Sequence, residues 1–389
     1  MSNPTALSVL DLLPRSSGAT NADAVRNAID LAQRAEEQGY ARYWFAEHHL
    51  NPGVIGSSPA VEIALVASAT STIRLGSAGV QFGHRSPLAT VEEFGLIDAL
   101  HPGRLDLGIG RSVTRPAPAP DGGGPDDGGK AYVALRGGAT HDVDSHTDNG
   151  LLIPAAYDLS RSFDSDRVNE LLSLLQQPGA YAPGYAEQIE QVLALLDGSF
   201  THPSGNAAHA APGEGADIQV WILGASGGQS ATVAGGHGLR FVASYHHSPS
   251  TVIDAVTGYV EAFKPSTELA EPYVAVSVDA VIADTDEKAR ELASGYAPWV
   301  RSIRQGRGAI AYPTPAEAAA LEWDDAGREI VRDRVLTQLV GSPTTVADRL
   351  EQLRDATGAQ ELSITTITHD HADRVRSYEL IAEEWDRRG

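Results

Sequence analysis

Short runs rich in β-formers alternate with amphipathic helical stretches along nearly the whole chain, and this alternation constrains the fold more tightly than any other feature. The β runs are Leu7 to Leu12, Ala41 to Ala46, Ile73 to Val80, Arg104 to Ile109, Ile218 to Leu223, Arg240 to Ser244, Tyr273 to Ile282 and Glu361 to Ile367. Between the first two, Asn21 to Gln38 carries Val25, Ile29, Ala32 and Ala35 at three-to-four spacing, and Gly39 ends the helix. Eight βα pairs without a strand-only section favour a closed parallel barrel, the α/β (β/α)8 or TIM-barrel architecture, over an open doubly wound sheet. A barrel of this kind accommodates residues 1–389 as a single domain.

Residues 112–181 interrupt the alternation with TRPAPAPDGGGPDDGG, then GGATHDVDSHTDNG, then a helix from Asp164 to Gln177. The segment leaves the C-terminal end of the fourth strand, which in a barrel belongs to the catalytic face. It is therefore expected as an insertion that forms a lid or pocket wall. A surface loop with no such role is the alternative.

Acidic residues outnumber basic ones by 51 to 29, a formal charge of -22, which repels nucleic acid and anionic membranes over most of the surface. An anionic cofactor still binds where backbone N–H groups and one or two arginines gather. Cysteine is absent, so disulfides, thiolate metal sites and a cysteine nucleophile are excluded. The N-terminal MSNPTALSVLDLLPRSS lacks a signal-peptide pattern and no long apolar span occurs, so the expected location is the cytoplasm.

Three clusters carry candidate chemistry. Trp44-Phe45-Ala46-Glu47-His48-His49 ends the second strand, where Glu47, His48 and His49 are candidates for proton transfer or cofactor contact, or else residues capping the barrel rim. Gly224-Ala225-Ser226-Gly227-Gly228-Gln229-Ser230 stands between a strand and a helix. It reads either as an anion cradle of N–H groups and hydroxyls or as a G-x-S-x-G nucleophile elbow with Ser226 attacking, assisted by Asp254 or Asp279 and His369 or His371. The third is GSAGVQFGHRSP followed by HPGRLDLGIGRS, which puts Arg111 just beyond the fourth strand, where a guanidinium can hold a phosphate. Glu47-His48-His49, His246-His247 and His369-x-His371 also permit a metal reading, but the spacing fits no compact ligand motif, so no metal is expected.

The blocks LSVLDLLP, RYWFAEHH, GSSPAVEIALVASATSTIRLGSAGV, SPLATVEEF and ALHPGRLDLGIGRS resemble, in their order and spacing, the bacterial luciferase-like flavin monooxygenases, especially the alkanal-monooxygenase-like branch. The resemblance is strong over residues 7–111 and resumes from Tyr185 to VGSPTTVADRLEQL. Within 112–181 only Tyr132 to Arg136 is similar, to a short family helix.

The resemblance implies a (β/α)8 barrel that uses reduced FMN, delivered by a separate flavin reductase, and O2 to oxidise a small organic substrate through a flavin hydroperoxide. By the same resemblance His48 matches the histidine near the flavin's reactive edge, with Glu47 beside it. Arg111, Ser226, Gly227 and Ser230 match positions around the flavin phosphate, and Ala78-Gly79 falls where the family often has a cis bond beneath the flavin ring. His48, with a near-neutral pKa, is expected to serve oxidation more than flavin binding, and His49 faces the other way.

Some family members use deazaflavin F420 for hydride transfer, and this cofactor ranks second. A serine hydrolase and a catalytically silent flavin-binding protein remain as readings of other classes. The insertion, together with basic residues that include only three lysines (130, 264 and 288), points to a polyketide or other secondary-metabolite substrate beside a plain aldehyde. The helix Val61 to Ala67 is apolar around most of its circumference. One side suits the barrel, and the resemblance implies that a second subunit covers the other in a homodimer.

Overall fold

The first and last strands pair with each other. In the computed structural model, which describes residues 5–112, 142–157, 165–177, 180 and 182–389, β1 (Ala6–Asp11) lies parallel to both β2 (Arg42–Phe45) and β8 (Glu361–Thr365). Ser8 is level with Arg42 on one side and Ser363 on the other. β3 (Arg74–Ser77), β4 (Leu105–Gly110), β5 (Ile218–Gly224), β6 (Arg240–Ser244) and β7 (Val274–Ile282) complete the ring in chain order, every pairing parallel. The expected (β/α)8 barrel is therefore closed. Its outer helices are α1 (Asn21–Glu37), α2 (Pro59–Ala67), α3 (Pro87–Asp98), α4 (Tyr185–Leu196), α5 (Gln229–Gly236), α6 (Val252–Ala262), α7 (Pro343–Thr357) and α8 (His371–Arg388).

Local chemistry sets the helix ends. Thr20 and Asp23 form a reciprocal capping box at the start of α1, with Asp23 N–H donating to the Thr20 hydroxyl at 3.2 Å and Thr20 N–H to the Asp23 carboxylate at 2.9 Å. Ser342 followed by Pro343 starts α7, and Gly358 at φ +64° ends it. Along α1 the buried stripe is Ala24, Ala28, Leu31, Ala32 and Ala35, while Val25 and Ile29 are only half-buried. The expected face is thus rotated, because small alanines let the helix lie close to the sheet.

Alternation along each strand separates two environments. Val9, Tyr43, Phe45, Leu75, Leu105, Leu107, Val220 and Ile222 pack outward into one large core with the helices. Arg42, Trp44, Asp106, Trp221, Val242, Ala275 and Glu361 have the opposite parity and fill the interior. At the floor, Arg42 reaches Asp106 at 2.8 Å and Glu361 at 3.0 Å, and Arg74 reaches Asp106 at 2.8 Å. The Trp44 indole N–H donates to Asp106 at 2.9 Å, and Tyr273 donates to Glu361 at 3.0 Å.

Two excursions depart from the C-terminal rim. The first, after β4, includes a two-residue antiparallel pair, Ser145–His146 with Leu152–Ile153, and the helix Ser165–Leu175 close to its expected place. Tyr132 to Arg136 lies outside the described residues. The second, between β7 and α7, was not expected from the sequence. It contributes short helices including Tyr296–Arg304 and Arg332–Thr337, and it sets Tyr296, Trp299 and Tyr312 against Leu10, Leu12, Ala46 and Ile367 at the barrel mouth. Arg332 joins the two excursions by donating to Asp144 at 2.9 Å, and Arg304 lies over the Tyr157 ring at 3.9 Å. Among the described residues no helix is long and apolar enough to cross a membrane.

Asp106 and Glu361 are both buried, so replacing Arg42 by methionine leaves two carboxylates without their shared cation. The variant is expected to lose about 3–5 kcal/mol of stability in urea unfolding, and a loss below about 1 kcal/mol would show that the floor network is not a stabilising element.

Candidate active site

Glu47 follows β2 and is fully buried, with its charge matched from several directions. Its Oε1 lies 2.8 Å from His49 Nε2, 3.0 Å from His84 Nε2 and 2.8 Å from the donating Arg85 Nε. Its Oε2 accepts the Gln81 N–H at 3.0 Å, and the Gln81 amide donates to the Glu47 carbonyl at 2.6 Å. Burial alone would raise this carboxyl, but hydrogen bonds from His49 and His84 and the Arg85 charge hold it well below the usual carboxylate range. Glu47 is a fixed anion that ties the loop after β2 to the loop after β3, an arrangement suited to positioning more than to proton transfer. His84 and Arg85 stood in GHRSP, and nothing in their spacing from Glu47 signalled the contact.

Glu47, His49 and His84 bring ligand-type atoms within 4.8 Å of one another. Arg85 already donates to the same oxygen, however, and His84 Nδ1 is buried without the partner that a metal-bound imidazole normally has. The cluster is built as an ion-paired network. The other histidine pairs do not join it: His369 Nε2 meets the Ser17 carbonyl at 3.1 Å and His371 Nε2 meets Asp30 at 2.8 Å.

His48 turns away from this network. Its N–H donates to the Gly56 carbonyl at 2.7 Å, and among the described residues neither ring nitrogen has a hydrogen-bond partner. The imidazole keeps partial solvent access but stands deep in the mouth. Poor hydration, reinforced by His49 and opposed by Glu47, pushes its pKa down to about 4. The near-neutral value expected from the sequence is corrected accordingly, because His48 is an uncharged imidazole at pH 7. After β6, His246 Nδ1 lies 2.7 Å from the Ser277 hydroxyl. His48 stands near enough to His246 and His247 to disfavour their protonation.

On another side of the rim the turn after β5 leads directly into α5, whose N-cap Gly228 makes no side-chain cap, so the first-turn N–H groups stay open. A Cβ on Gly227 would stand 2.6 Å from the Asp254 carbonyl oxygen, so only glycine fits there. The half-buried Ser226 hydroxyl has no partner among the described residues, and Ser230 is buried behind it. Arg111 is exposed and donates to the Gln229 side chain at 3.3 Å, which brings its guanidinium to the same helix start. The Ala78–Gly79 peptide bond is cis, as the resemblance implies, and a Cβ on Gly79 would lie 2.8 Å from the Gly108 oxygen. The hydrolase reading finds no support in this geometry, because no histidine among the described residues hydrogen-bonds to Ser226, and His369 and His371 are engaged elsewhere.

This arrangement of barrel, cis bond and anion-ready turn coincides with a family match. The model of the luciferase-like monooxygenases covers residues 8–130 and 178–361. The chain belongs to the luciferase-like monooxygenase family. It is accordingly an oxidoreductase of the monooxygenase type.

Among relatives within this breadth, YvbT of Bacillus subtilis (strain 168) is 35% identical over 387 residues, which is 99% of this chain and 98% of the relative. A luciferase-like monooxygenase of Escherichia coli (strain K12) is 29% identical over 96% of this chain and 95% of its own length. The crystal structure of apo-MsnO8 aligns with a TM-score of 0.76 at 29% identity over 99% of both chains. Two more distant structures share the fold. One is the FMN-bound oxygenating constituent of 3,6-diketocamphane monooxygenase of Pseudomonas putida (TM-score 0.62, 19% identity, 98% of this chain and 97% of that one). The other is an F420-dependent secondary alcohol dehydrogenase (TM-score 0.60, 12% identity, 98% and 99%).

The depressed His48 pKa has a measurable consequence. The folded value of about 4 lies below the ordinary 6.5, so the stability linked to neutral His48 is complete above pH 6.5 and is lost as pH falls through 4. In an NMR titration the His48 ring is expected to stay neutral from pH 7 to about 5, whereas a midpoint near an ordinary histidine value would refute the burial argument.

Proposed function

We propose that this protein is a reduced-FMN-dependent monooxygenase that inserts or transfers one oxygen atom of O2 into a small organic substrate. The observation that carries the reading is the uncapped start of α5, where Gly227 and Gly228 leave backbone N–H groups accessible beside the Ser226 hydroxyl and Arg111. These residues fit a flavin phosphate, an anion that an acidic chain can accept only at such a local concentration of donors. Bound reduced flavin would supply the electrons that activate O2. Ala78 and Gly79 would back its ring, Ser230 would support the phosphate turn, and His48 would exchange a hydrogen bond with the reacting groups. Glu47 would hold the His48 loop in place through Gln81, His84 and Arg85.

FMN is preferred over F420 on the strength of the Glu47-His48-His49 block, and a separate flavin reductase would deliver it. The substrate would be an aldehyde or a secondary-metabolite intermediate. Residues 112–181 would serve as a lid within one barrel domain, and the cytoplasm would be the working compartment. Oxygen consumption coupled to product distinguishes this enzyme from a silent flavin-binding protein.

A homodimer is part of the same reading. On α2 Val61 and Leu65 are 60% and 47% exposed; on and after α3 Leu88, Leu96 and Leu100 are 42%, 62% and 79% exposed. The two helices pack side by side, so their outer faces form one apolar surface that a second copy would cover.

Two measurements test these proposals. Ser226→Asp places a carboxylate against the phosphate and is expected to weaken FMN binding at least about 100-fold in a fluorescence titration, while unchanged affinity would remove the phosphate from this turn. Leu96→Arg is expected to convert a dimer to a monomer in sedimentation velocity, and a wild-type protein that sediments as a monomer at micromolar concentration would reject the interface.

A further inference from the structure

His246 is left unused by the flavin-binding reading, although the fold places it in the mouth. Val242 on β6 and Ala275 on β7 pack in the barrel interior with Trp44 and Trp221, so Ser244 and Ser277, two residues further along the same strands, also face inward. His246, in the turn just past β6, is half-buried, with its N–H donating to the Ser277 carbonyl at 3.0 Å. Its ring is held on one edge. Nδ1 lies 2.7 Å from Ser277 Oγ and 3.4 Å from Ser244 Oγ.

The surrounding hydrogen bonds favour one tautomer. Ser277 Oγ donates to the Ala243 carbonyl at 3.3 Å, and Ser244 Oγ accepts the His247 N–H at 3.3 Å. With the Ser277 hydroxyl proton directed to Ala243, its oxygen is left to accept, and an Nδ1–H at 2.7 Å meets it. Nε2 then carries the lone pair. It has no partner among the described residues, and it belongs to a ring that lies near His48.

We propose that His246 Nε2 binds substrate by accepting a hydrogen bond from a substrate hydroxyl, with Ser277 as the positioning residue that orients the ring. The inference rests on the reading of this mouth as the substrate end of a flavin monooxygenase and names the class of substrate it selects: an uncharged molecule carrying an alcohol, enol or phenol. A carboxylate has little to meet here. Arg334, whose charge acts on His246, is matched by Asp279 at 3.0 Å, and Arg304 is paired with Asp333. Burial, with Arg334 and the neighbouring histidines, keeps His246 itself uncharged. A plain aldehyde oxygen presents only lone pairs to a lone pair, while a hydroxyl proton completes the bond. A site that holds an unpaired acceptor discriminates against analogues lacking the donor.

The experiment uses the full-length, 15N-labelled protein with 2-naphthol and its methyl ether, 2-methoxynaphthalene, as probes. Long-range 1H–15N correlation is expected to show His246 as the Nδ1–H tautomer, and Ser277→Ala is expected to turn it into a mixture, a change that a merely structural serine would not produce. 2-Naphthol is expected to shift the His246 Nε2 resonance and to bind about tenfold more tightly than the ether, a difference that should collapse to within about twofold in His246→Leu. An Nε2–H tautomer, equal affinity of the two probes, a preference surviving in His246→Leu, or no binding of either probe would each overturn the proposal. FMN titration of the same samples separates the two readings, since loss of FMN binding in the wild type counts against the flavin assignment while the naphthol comparison stands by itself.

Discussion

Arg42 holds two buried carboxylates at once and ties three strands of the closed barrel together at its floor. Eight parallel strands leave an interior that must be filled, and here the lowest layer is filled by charge. Asp106 on β4 and Glu361 on β8 meet Arg42 on β2, and Arg74 on β3 supports Asp106. Trp44 hydrogen-bonds to Asp106 and packs edge-on to Trp221 at 4.9 Å, which joins the charged floor to an aromatic layer above it. The floor is therefore sealed from below, and a ligand can meet inward-facing side chains only from the C-terminal rim.

At that rim different chemistry occupies different sides. The turn into α5 gathers N–H groups, hydroxyls and Arg111, which makes it the anion-binding side. His48 and His246 stand near each other as uncharged imidazoles, so that region of the mouth offers hydrogen bonds without charge. Arg334 and Arg304 are paired with Asp279 and Asp333, which leaves anion recognition to the phosphate side. Glu47 belongs to neither surface. Its ionised carboxylate fastens the loops after β2 and β3 from behind, so that His48, one residue on, projects from a rigid base.

The second excursion supplies what the eight βα units lack. Its Tyr296, Trp299 and Tyr312 cover the mouth beside β1, β2 and β8, and its Arg332 grips Asp144 of the first excursion. The packing that covers this side of the mouth is thus contributed by a segment outside the eight βα units.

The order of strands, the placement of Ser226 to Ser230 after the fifth strand, and the opposed directions of His48 and His49 were legible in the chain, because each follows from a period of two along a strand or from glycines at a strand-to-helix turn. The rotated face of α1 was not, since Ala24 and Ala28 bury less area than Val25 and Ile29 would, and only the closeness of helix to sheet decides between them. The role of Glu47 was equally hidden. A carboxylate beside two histidines reads as a proton carrier in one dimension, and its fixed ionised state depends on His84 and Arg85, more than thirty residues away. The sequence by itself determined where the eight strands run and that successive side chains along each face opposite sides. Tertiary structure alone decided which of them are charged, paired or free, because pKa and hydrogen-bond satisfaction depend on groups that the fold brings together from distant parts of the chain.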